Sequence, residues 1–267
     1  MLETVGLLQA DPDLGARMAP ERFAAAQRAL VTRVVTVPTG HWAWEQMLPA
    51  PPGVVGFVIC SGIFARHARM YDGSSVELLG AGDVIMPWAS EHDTAIGFEM
   101  SVDWHVLARG RLALVDHGLL LKSAPWPEIT KALLTRAITH ARWLAGLHAA
   151  AGHTRVEDRL WLALWQIAER WGKITPGGVT LTMPGLTHET IASLVAASRP
   201  SVTKAFGDLR DRGLLERRPR GVLVLHGAPK DGLSKRTRPE RGAVEGGGSA
   251  PAAGSLAAPE PVPAPVG

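Results

Sequence analysis

The stretch from Thr187 to Leu225 constrains the fold more than any other, because it carries the complete pattern of a helix-turn-helix followed by a wing. Thr187 is an N-cap residue ahead of apolar side chains at helical spacing. Ser198 is placed to cap a second helix, with Pro200 in the first turn, where a missing N–H is tolerated. Gly213 ends that helix, and two short apolar runs joined by an arginine-rich turn then predict a β-hairpin.

The polar side chains of this motif divide into two groups with different chemistry. Those at the N-terminal end of the second helix lie where such helices present donors to base edges in the DNA major groove. The hairpin tip, residues 217–221, carries three arginines, which suit contacts with backbone phosphates. The candidate DNA-contacting residues are Thr187, Ser198, Arg199, Ser201, Thr203, Lys204, Arg217, Arg218 and Arg220. The alternative is a winged helix that serves only protein contacts, or a helical hairpin that happens to carry arginines.

From Arg155 to Leu225 the chain resembles the C-terminal domain of the Crp/Fnr family of bacterial transcription regulators. The resemblance lies in the segments VEDRLWLALWQIAERWG, LTHETIASLVAASRPSVTKAFGDL and RGLLE. It implies that Arg199 and Lys204 read bases, and that Thr187 and Ser198 touch phosphates.

Two positions depart from the family pattern. Pro200 stands where several members carry a base-reading Glu, so the half-site cannot be copied from them. Ala196 stands in the turn, where a glycine is usual. Because a left-handed residue other than glycine costs about 1–2 kcal/mol, we expect mild strain in this turn.

Short apolar runs separated by Gly, Pro and Asp fill the chain from Val31 to about Ala124 and predict a β jelly roll. Asp72-Gly73 and the stretch from Gly80 to Asp83 predict two of its turns. Residues 1–30 are expected to form a helical or irregular lead-in. In the order of these elements the segment resembles the sensor domain of the same family.

The residues after the Gly80–Asp83 turn bear on the effector. Cyclic-nucleotide-binding members of the family carry a Gly-Glu pair there and an Arg a few residues on, which hold the ribose and the cyclic phosphate. This chain reads VIMPWASEHDTAIGFEM instead, with Glu91 and Asp93 where a phosphate requires positive charge. We therefore expect an effector other than cyclic AMP, and the sequence identifies no cofactor-binding residue.

Histidines scattered through the β segment raise the question of a metal or haem site. Such a site would draw on His41, His67, His92, His105 and Cys60. No H-x-H or comparable ligand pair supports it, so these side chains are predicted to be surface or core residues and no metal is expected. Core packing is likewise the default for the tryptophans of this segment.

A helical period begins at about Pro127. The positions that form a seam suited to a two-helix coiled coil are Leu134, Ala137, Ala141, Leu144, His148 and Ala151. A helix between sensor and DNA-binding domains is where the resembled family dimerises, and packing against its own β domain is the alternative. Residues 152–154 are predicted to be a hinge, and the next helix has one apolar face from Val156 to Trp171.

Composition sets wider limits. At 267 residues, 46% hydrophobic and 20% charged, the chain is long enough for two domains with real cores. It shows no apolar stretch long enough for a membrane span and no leader, so a cytoplasmic location is expected. The single cysteine, Cys60, excludes an internal disulfide and a four-cysteine iron–sulfur cluster. A net charge of +3 permits a polyanionic partner.

Together these patterns predict an α+β protein with four parts. Residues 1–126 form a jelly-roll sensor domain like that of cyclic-nucleotide-binding proteins, 127–152 a dimerisation helix and hinge, 153–227 a winged helix-turn-helix, and 228–267 a disordered tail. The predicted function is a homodimeric regulator that binds an inverted-repeat DNA operator, with RNA polymerase a further candidate partner and no enzymatic activity. The competing hypothesis is a jelly-roll protein that binds a small molecule or metal and uses the winged helix for protein contacts.

Overall fold

The computed structural model describes residues 2–44, 53–87 and 100–233. Its strands are β1 (Leu2–Gly6), β2 (Val31–Val37), β3 (Gly40–His41), β4 (Val54–Met70), β5 (Gly73–Gly80), β6 (Val84–Ile85), β7 (Met100–Asp116), β8 (Gly172–Thr175), β9 (Gly178–Thr182), β10 (Leu215–Arg218) and β11 (Val222–Leu225). Its helices are α1 (Leu7–Ala10), α2 (Pro20–Ala29), α3 (His117–Ser123), α4 (Pro127–Ala151), α5 (Val156–Trp171), α6 (His188–Leu194) and α7 (Arg199–Asp211). No helix in these ranges is long and apolar enough to cross a membrane.

The N-terminal sheet is antiparallel, in the order β1-β2-β7-β4-β5, with β3 paired to β7 and β6 to β4. The two 17-residue strands β4 and β7 pair along most of their length, with register shifts around Gly62. Gly62 has φ +98°, and a Cβ there would lie 2.5 Å from the Cα of Gly110, so a side chain would push the strands apart. The core on one side of this sheet includes Trp42, Phe64 and Trp104.

The lead-in and one hairpin differ from the predictions. Residues 2–6 are a strand, not helical or irregular, because the edge of β2 offers backbone groups with which this segment pairs. The first hairpin turn is Tyr71-Asp72, one residue earlier than predicted, because β5 already begins at Gly73. Tyr71 takes the left-handed conformation, with φ +52°.

The C-terminal part contains α5, α6, α7 and a four-stranded sheet in the order β10-β11-β9-β8. The hairpin of β8 and β9 was not predicted. The chain also stays ordered past the predicted start of the tail: residues 229–232 form a 3-10 turn, and the indole N–H of Trp161 donates to the carbonyl of Pro229 at 2.7 Å. Residues 234–267 of the predicted tail lie outside the described residues.

One hydrophobic core crosses the predicted boundary between sensor and winged helix. It contains Ile63 and Leu78 of the β sheet, Trp143 of α4, and Leu160 and Leu164 of α5, together with the buried residues of α6 and α7. The outer face of β4 and β5 therefore packs directly against the helices of the C-terminal part. The recognition elements are positioned by contacts with the sensor as well as by their own packing.

Candidate nucleic-acid interface

Both helices of the motif begin at the predicted caps. The hydroxyl oxygen of Thr187 accepts a hydrogen bond from the backbone N–H of Thr190 at 3.1 Å. The hydroxyl oxygen of Ser198 accepts from the N–H of Ser201 at 3.3 Å, and Pro200 lies in the first turn of α7. Each cap satisfies an N–H that has no partner within its helix, which fixes where α6 and α7 start.

The turn between the helices contains a left-handed alanine. Ala196 has φ +49°, as predicted from its position in the motif. The N–H of Ala197 donates to the carbonyl of Ala192 at 2.9 Å, which closes the turn. Arg159 of α5 donates from Nη1 to the carbonyl of Ala196 at 2.9 Å. A side chain of the preceding helix thus holds the strained turn in place.

Recognition helix α7 packs through its apolar face and presents a polar face. Val202 and Leu209 are fully buried. Arg199 and Lys204 are exposed, as the prediction of base-reading residues requires. Thr203 is also exposed, but its hydroxyl donates to the carbonyl of Arg199 at 3.0 Å. The hydroxyl proton of Thr203 is therefore used within the protein.

His188, the first residue of α6, joins the predicted contact residues at this surface. Its ring stacks on Phe206, with centroids 4.7 Å apart and planes 9° apart, and its Nδ1 lies 2.9 Å from the hydroxyl of Thr203. If that hydroxyl donates to the carbonyl of Arg199, both hydrogen bonds form only when Nδ1 carries the proton, which leaves the lone pair of the neutral ring on Nε2. Burial, then the charges of Arg217 and Arg199, lower the pKa of His188.

The cleft between recognition helix and wing is lined by these same side chains. It has a volume of about 660 Å³, and His188, Arg199, Phe206 and Arg217 line it. The sequence analysis missed His188 because a histidine next to an N-cap threonine has no distinctive pattern. Its stacking on Phe206, eighteen positions later, is visible only in the fold.

The wing differs from the prediction in one respect. β10 runs to Arg218, so Arg217 and Arg218 belong to a strand and only Pro219–Gly221 forms the tip. Arg218 donates to both carboxylate oxygens of Glu216, at 2.8 and 3.0 Å. Both residues lie on one face of the strand because side chains alternate along it. The guanidinium of Arg218 is thus already hydrogen-bonded to Glu216. The side chain of Arg220 lies outside the described residues.

Comparison with known proteins agrees with this geometry. A family model described as a Crp-like helix-turn-helix domain matches residues 158–228. The CRP-like cAMP-activated global transcriptional regulator of Mycobacterium tuberculosis is 34% identical over 222 residues, which cover 82% of this chain and 93% of the relative. This chain belongs to the Crp/Fnr family of transcription regulators. As a Crp/Fnr protein it is a DNA-binding transcription regulator and not an enzyme.

Two solved structures share the fold of this chain. A cyclic nucleotide-binding domain containing protein from Listeria monocytogenes superimposes with a TM-score of 0.61 at 16% identity, over 84% of this chain and 99% of that one. A CooA mutant from Carboxydothermus hydrogenoformans gives 0.56 at 18% identity, over 74% and 85%. The predicted order of jelly roll, long helix and helix-turn-helix is confirmed.

A network of charges joins the sensor, α4 and α5 in this Crp/Fnr protein. Asp83 of the predicted turn accepts from Arg170 of α5 at 2.6 Å, and its other oxygen lies 3.3 Å from Nδ1 of His140 on α4. The Nε2 atom of His140 contacts Glu77 of β5, which also pairs with Arg66. We refer to Glu77, Asp83, His140 and Arg170 as the junction network.

The junction network is shielded from solvent, and this shapes its protonation. Burial opposes charge on His140, but hydrogen bonds to Asp83 and Glu77 outweigh it and raise the pKa to about 9. Burial also disfavours the charged form of Asp83, yet hydrogen bonds from His140, the N–H of Gly80 and Arg170 lower its pKa. The arrangement is that of a cationic imidazole between two carboxylates.

The predicted seam of α4 is largely exposed to solvent. Leu134 is 61% exposed and Ile138 46% exposed, and Ala137, Ala141 and His148 are exposed as well. Leu144 and Ala151 are half-buried, and Leu144 packs against the core of its own chain. Within the described chain, α4 thus has one face committed to the sensor and another that is apolar and open.

Proposed function

We propose that this regulator acts in the cytoplasm as a homodimer that binds an inverted-repeat operator and is controlled by an effector other than cyclic AMP. The open face of α4 supports the dimer. A stripe of small and aliphatic side chains from Leu134 to His148 becomes buried from solvent only when a second helix covers it. Two recognition helices related by a two-fold axis would enter successive major grooves about 34–36 Å apart, which predicts half-sites one turn apart.

The polar face of α7 supports the reading of bases. Arg199 is an exposed planar donor at the helix N-terminus and pairs best with the two major-groove acceptors of guanine. Arg217 lies on the other side of the same cleft, where it would contact the phosphate backbone. Because Arg218 is paired with Glu216 in the free protein, Arg217 is more readily available than Arg218 for a phosphate contact.

The interior of the sensor supports an effector other than the one in the name of the mycobacterial relative. Trp42, Phe64 and Trp104 are buried in the jelly-roll core, and their rings pack edge to face 5.7 Å apart. These large rings fill part of the jelly-roll interior, and the sequence lacks the Gly-Glu pair and Arg described above. Calorimetry with cyclic AMP should give no micromolar binding; a dissociation constant near 1 μM, about −8 kcal/mol, would contradict this.

The DNA-binding part of the proposal is tested by comparing three arginine variants. Operator DNA is first obtained by genome-wide mapping of bound fragments. Binding to operator and scrambled duplexes is then titrated at several salt concentrations. Arg199→Ala should weaken operator binding by about 1–3 kcal/mol and relax discrimination at one base pair. Arg217→Ala should weaken all sequences alike and reduce the salt slope by about one.

Arg210→Ala is the matched control. Arg210 lies on the same helix but beyond its N-terminal half, exposed and paired with its neighbour Asp211. Its replacement should change neither affinity nor specificity. If Arg199→Ala and Arg217→Ala reduced operator preference equally, the recognition helix would be wrongly assigned.

A further inference from the structure

The imidazole of His188 is held by two contacts in the cleft between the recognition helix and the wing. Its ring stacks on Phe206 of α7, with centroids 4.7 Å apart and planes 9° apart. Its Nδ1 lies 2.9 Å from the hydroxyl oxygen of Thr203, three residues earlier on the same helix. Together these contacts fix the orientation of the ring in the free protein.

The contacts of Thr203 identify the nitrogen of His188 at which the ring can change its charge. The hydroxyl of Thr203 lies 3.0 Å from the carbonyl oxygen of Arg199, which can only accept a hydrogen bond. Both hydrogen bonds of this hydroxyl form together only when Nδ1 of His188 carries a proton. Nε2 has no hydrogen-bond partner among the described residues. The ring therefore gains or loses its charge at Nε2.

The charges that surround His188 come from three elements. In the described part of the cleft the charged lining residues are Glu189 of α6, Arg199 of α7 and Arg217 of β10. Burial of the ring, then the charges of Arg217 and Arg199, lower the pKa of His188 below its ordinary value of about 6.5. In the free protein the ring is therefore neutral at neutral pH.

From this geometry we propose that His188 is a proton-coupled DNA contact, neutral in the free protein and charged when the phosphate backbone lies in the cleft. A phosphate beside the ring offsets the charges of Arg199 and Arg217 and favours a positive charge on the imidazole. The ring then takes a proton from the buffer at Nε2, which donates a hydrogen bond to a phosphate oxygen. The hydrogen bond from Nδ1 to Thr203 persists, and the face of Phe206 attracts the added charge.

Proton uptake makes the affinity for DNA depend on pH in one direction. When the pKa of a group rises on binding, its contribution to affinity is complete below the pKa in the free protein. That contribution is lost as the pH rises through the pKa in the complex. An opposite charge within about 4–6 Å moves a pKa by about 1–3, and a change of one corresponds to about a tenfold change in affinity. Because protonation is incomplete in mildly acidic solution, each subunit should bind DNA at least about fivefold more tightly at about pH 5.5 than at about pH 8.

The test measures binding of the full-length protein to operator and scrambled duplexes by fluorescence anisotropy, at constant ionic strength, from about pH 5.5 to about pH 8. The unaltered protein should gain affinity at low pH on both duplexes, because a phosphate contact carries no base information. His188→Asn keeps an amide donor for Thr203 and cannot become charged, so its affinity should not change over this range. His188→Arg carries a permanent charge and should bind tightly at every pH.

His226→Gln is the matched control for the other titrating groups. His226 follows β11 in the same DNA-binding part and lies 3.6 Å from Glu216, but it does not line the described cleft. Its replacement should leave the pH dependence in place. His140 stays charged over this range, because its pKa is about 9. His92 lies outside the described residues, and the cleft is not lined by the other sensor histidines, His41, His67 and His105.

The protonation step is measured directly by NMR on protein labelled with carbon-13 in its histidine rings. The signal that disappears in His188→Asn identifies His188. Its pKa should lie below about 6.5 in the free protein and should rise by about one or more when operator DNA is added. If His188→Asn does not fold, His188→Arg identifies the same signal, so the measurement still decides.

An unchanged pKa of His188 on addition of DNA would overturn the proposal, and so would a pH dependence that survives in His188→Asn or disappears in His226→Gln. His188 can act in this way only if DNA lies against α7 and the wing as proposed above, and Arg217→Ala tests that placement separately. If Arg217→Ala weakens binding at every pH while the affinity of the unaltered protein does not vary with pH, the interface stands and only the role of His188 is wrong.

Discussion

Replacing Arg170 should reveal how strongly the junction network holds the DNA-binding part against the sensor. The guanidinium of Arg170 on α5 reaches Asp83 in the turn after β5 at 2.6 Å. It also lies over the rings of Trp143 and Trp171, 5.2 and 4.6 Å from their centroids. Arg170→Ala removes both contacts at once and leaves a shielded carboxylate with fewer partners.

The size of the effect follows from burial. The side chains of Arg170 and Asp83 are 20% and 6% exposed, so solvent screens the pair weakly. Removing one partner of a buried ion pair costs about 3–5 kcal/mol. We expect the lower end, about 3 kcal/mol, because Asp83 keeps its bonds from Gly80 and His140. Loss of the cation–π contacts adds about 1 kcal/mol, for a total of about 4 kcal/mol.

Urea unfolding of Arg170→Ala and the unaltered protein measures this difference from the transition midpoints. Arg210→Ala is the control, since Arg210 and Asp211 form an exposed pair between adjacent residues; such a change should stay within about 0.5 kcal/mol. If Arg170→Ala destabilised the protein no more than Arg210→Ala, the network would not hold the two parts together. A changed urea dependence would show that the parts no longer unfold together.

Three further predictions concern pH, assembly and the turn. The pKa of His140 is raised to about 9, so its charged form should add up to about 3 kcal/mol to the free energy of unfolding. This stabilisation should be complete below pH 6.5 and lost as the pH rises through 9. The free energy of unfolding of His140→Gln should lack this pH dependence. Leu134→Glu should give monomer in sedimentation, whereas Leu121→Glu, at an exposed site off the seam, should not; a dimeric Leu134→Glu would contradict the proposed seam. Ala196→Gly should stabilise the protein by about 0.5–1 kcal/mol, because relief of about 1–2 kcal/mol of left-handed backbone strain outweighs the extra entropy that glycine loses on folding. The control Ala24→Gly, at an exposed position of α2, should destabilise the protein by about 1 kcal/mol. Equal losses of stability in both variants would show that the turn is unstrained.

The features predicted well from sequence are those fixed by near neighbours. The hydroxyls of Thr187 and Ser198 each accept a hydrogen bond from an N–H three residues away, so both caps can be predicted from the sequence. The left-handed Ala196 follows from the same local motif. The end of α7 at Gly213, with φ +70°, is another local feature.

The features that were missed depend on residues distant in sequence. His140 meets Glu77 across 63 positions, and Arg170 meets Asp83 across 87. His41 on β3 meets Asp103 on β7 across 62 positions. The β8–β9 hairpin was missed because Gly172–Thr175 is short and carries a fully exposed apolar residue, Ile174, that breaks the expected alternation.

The contacts of α5 explain how these distant features act on the recognition helix. Arg170, near the end of α5, is bound to the sensor turn through Asp83, while Arg159, near its start, holds the carbonyl of Ala196 between the two DNA-binding helices. Eleven residues separate them, or about 16 Å along the helix axis. Since Leu160 and Leu164 are fully buried between these points, α5 cannot shift at one end without moving the other. We therefore expect a change at the sensor turn to reach the turn that orients Arg199 through a single packed helix.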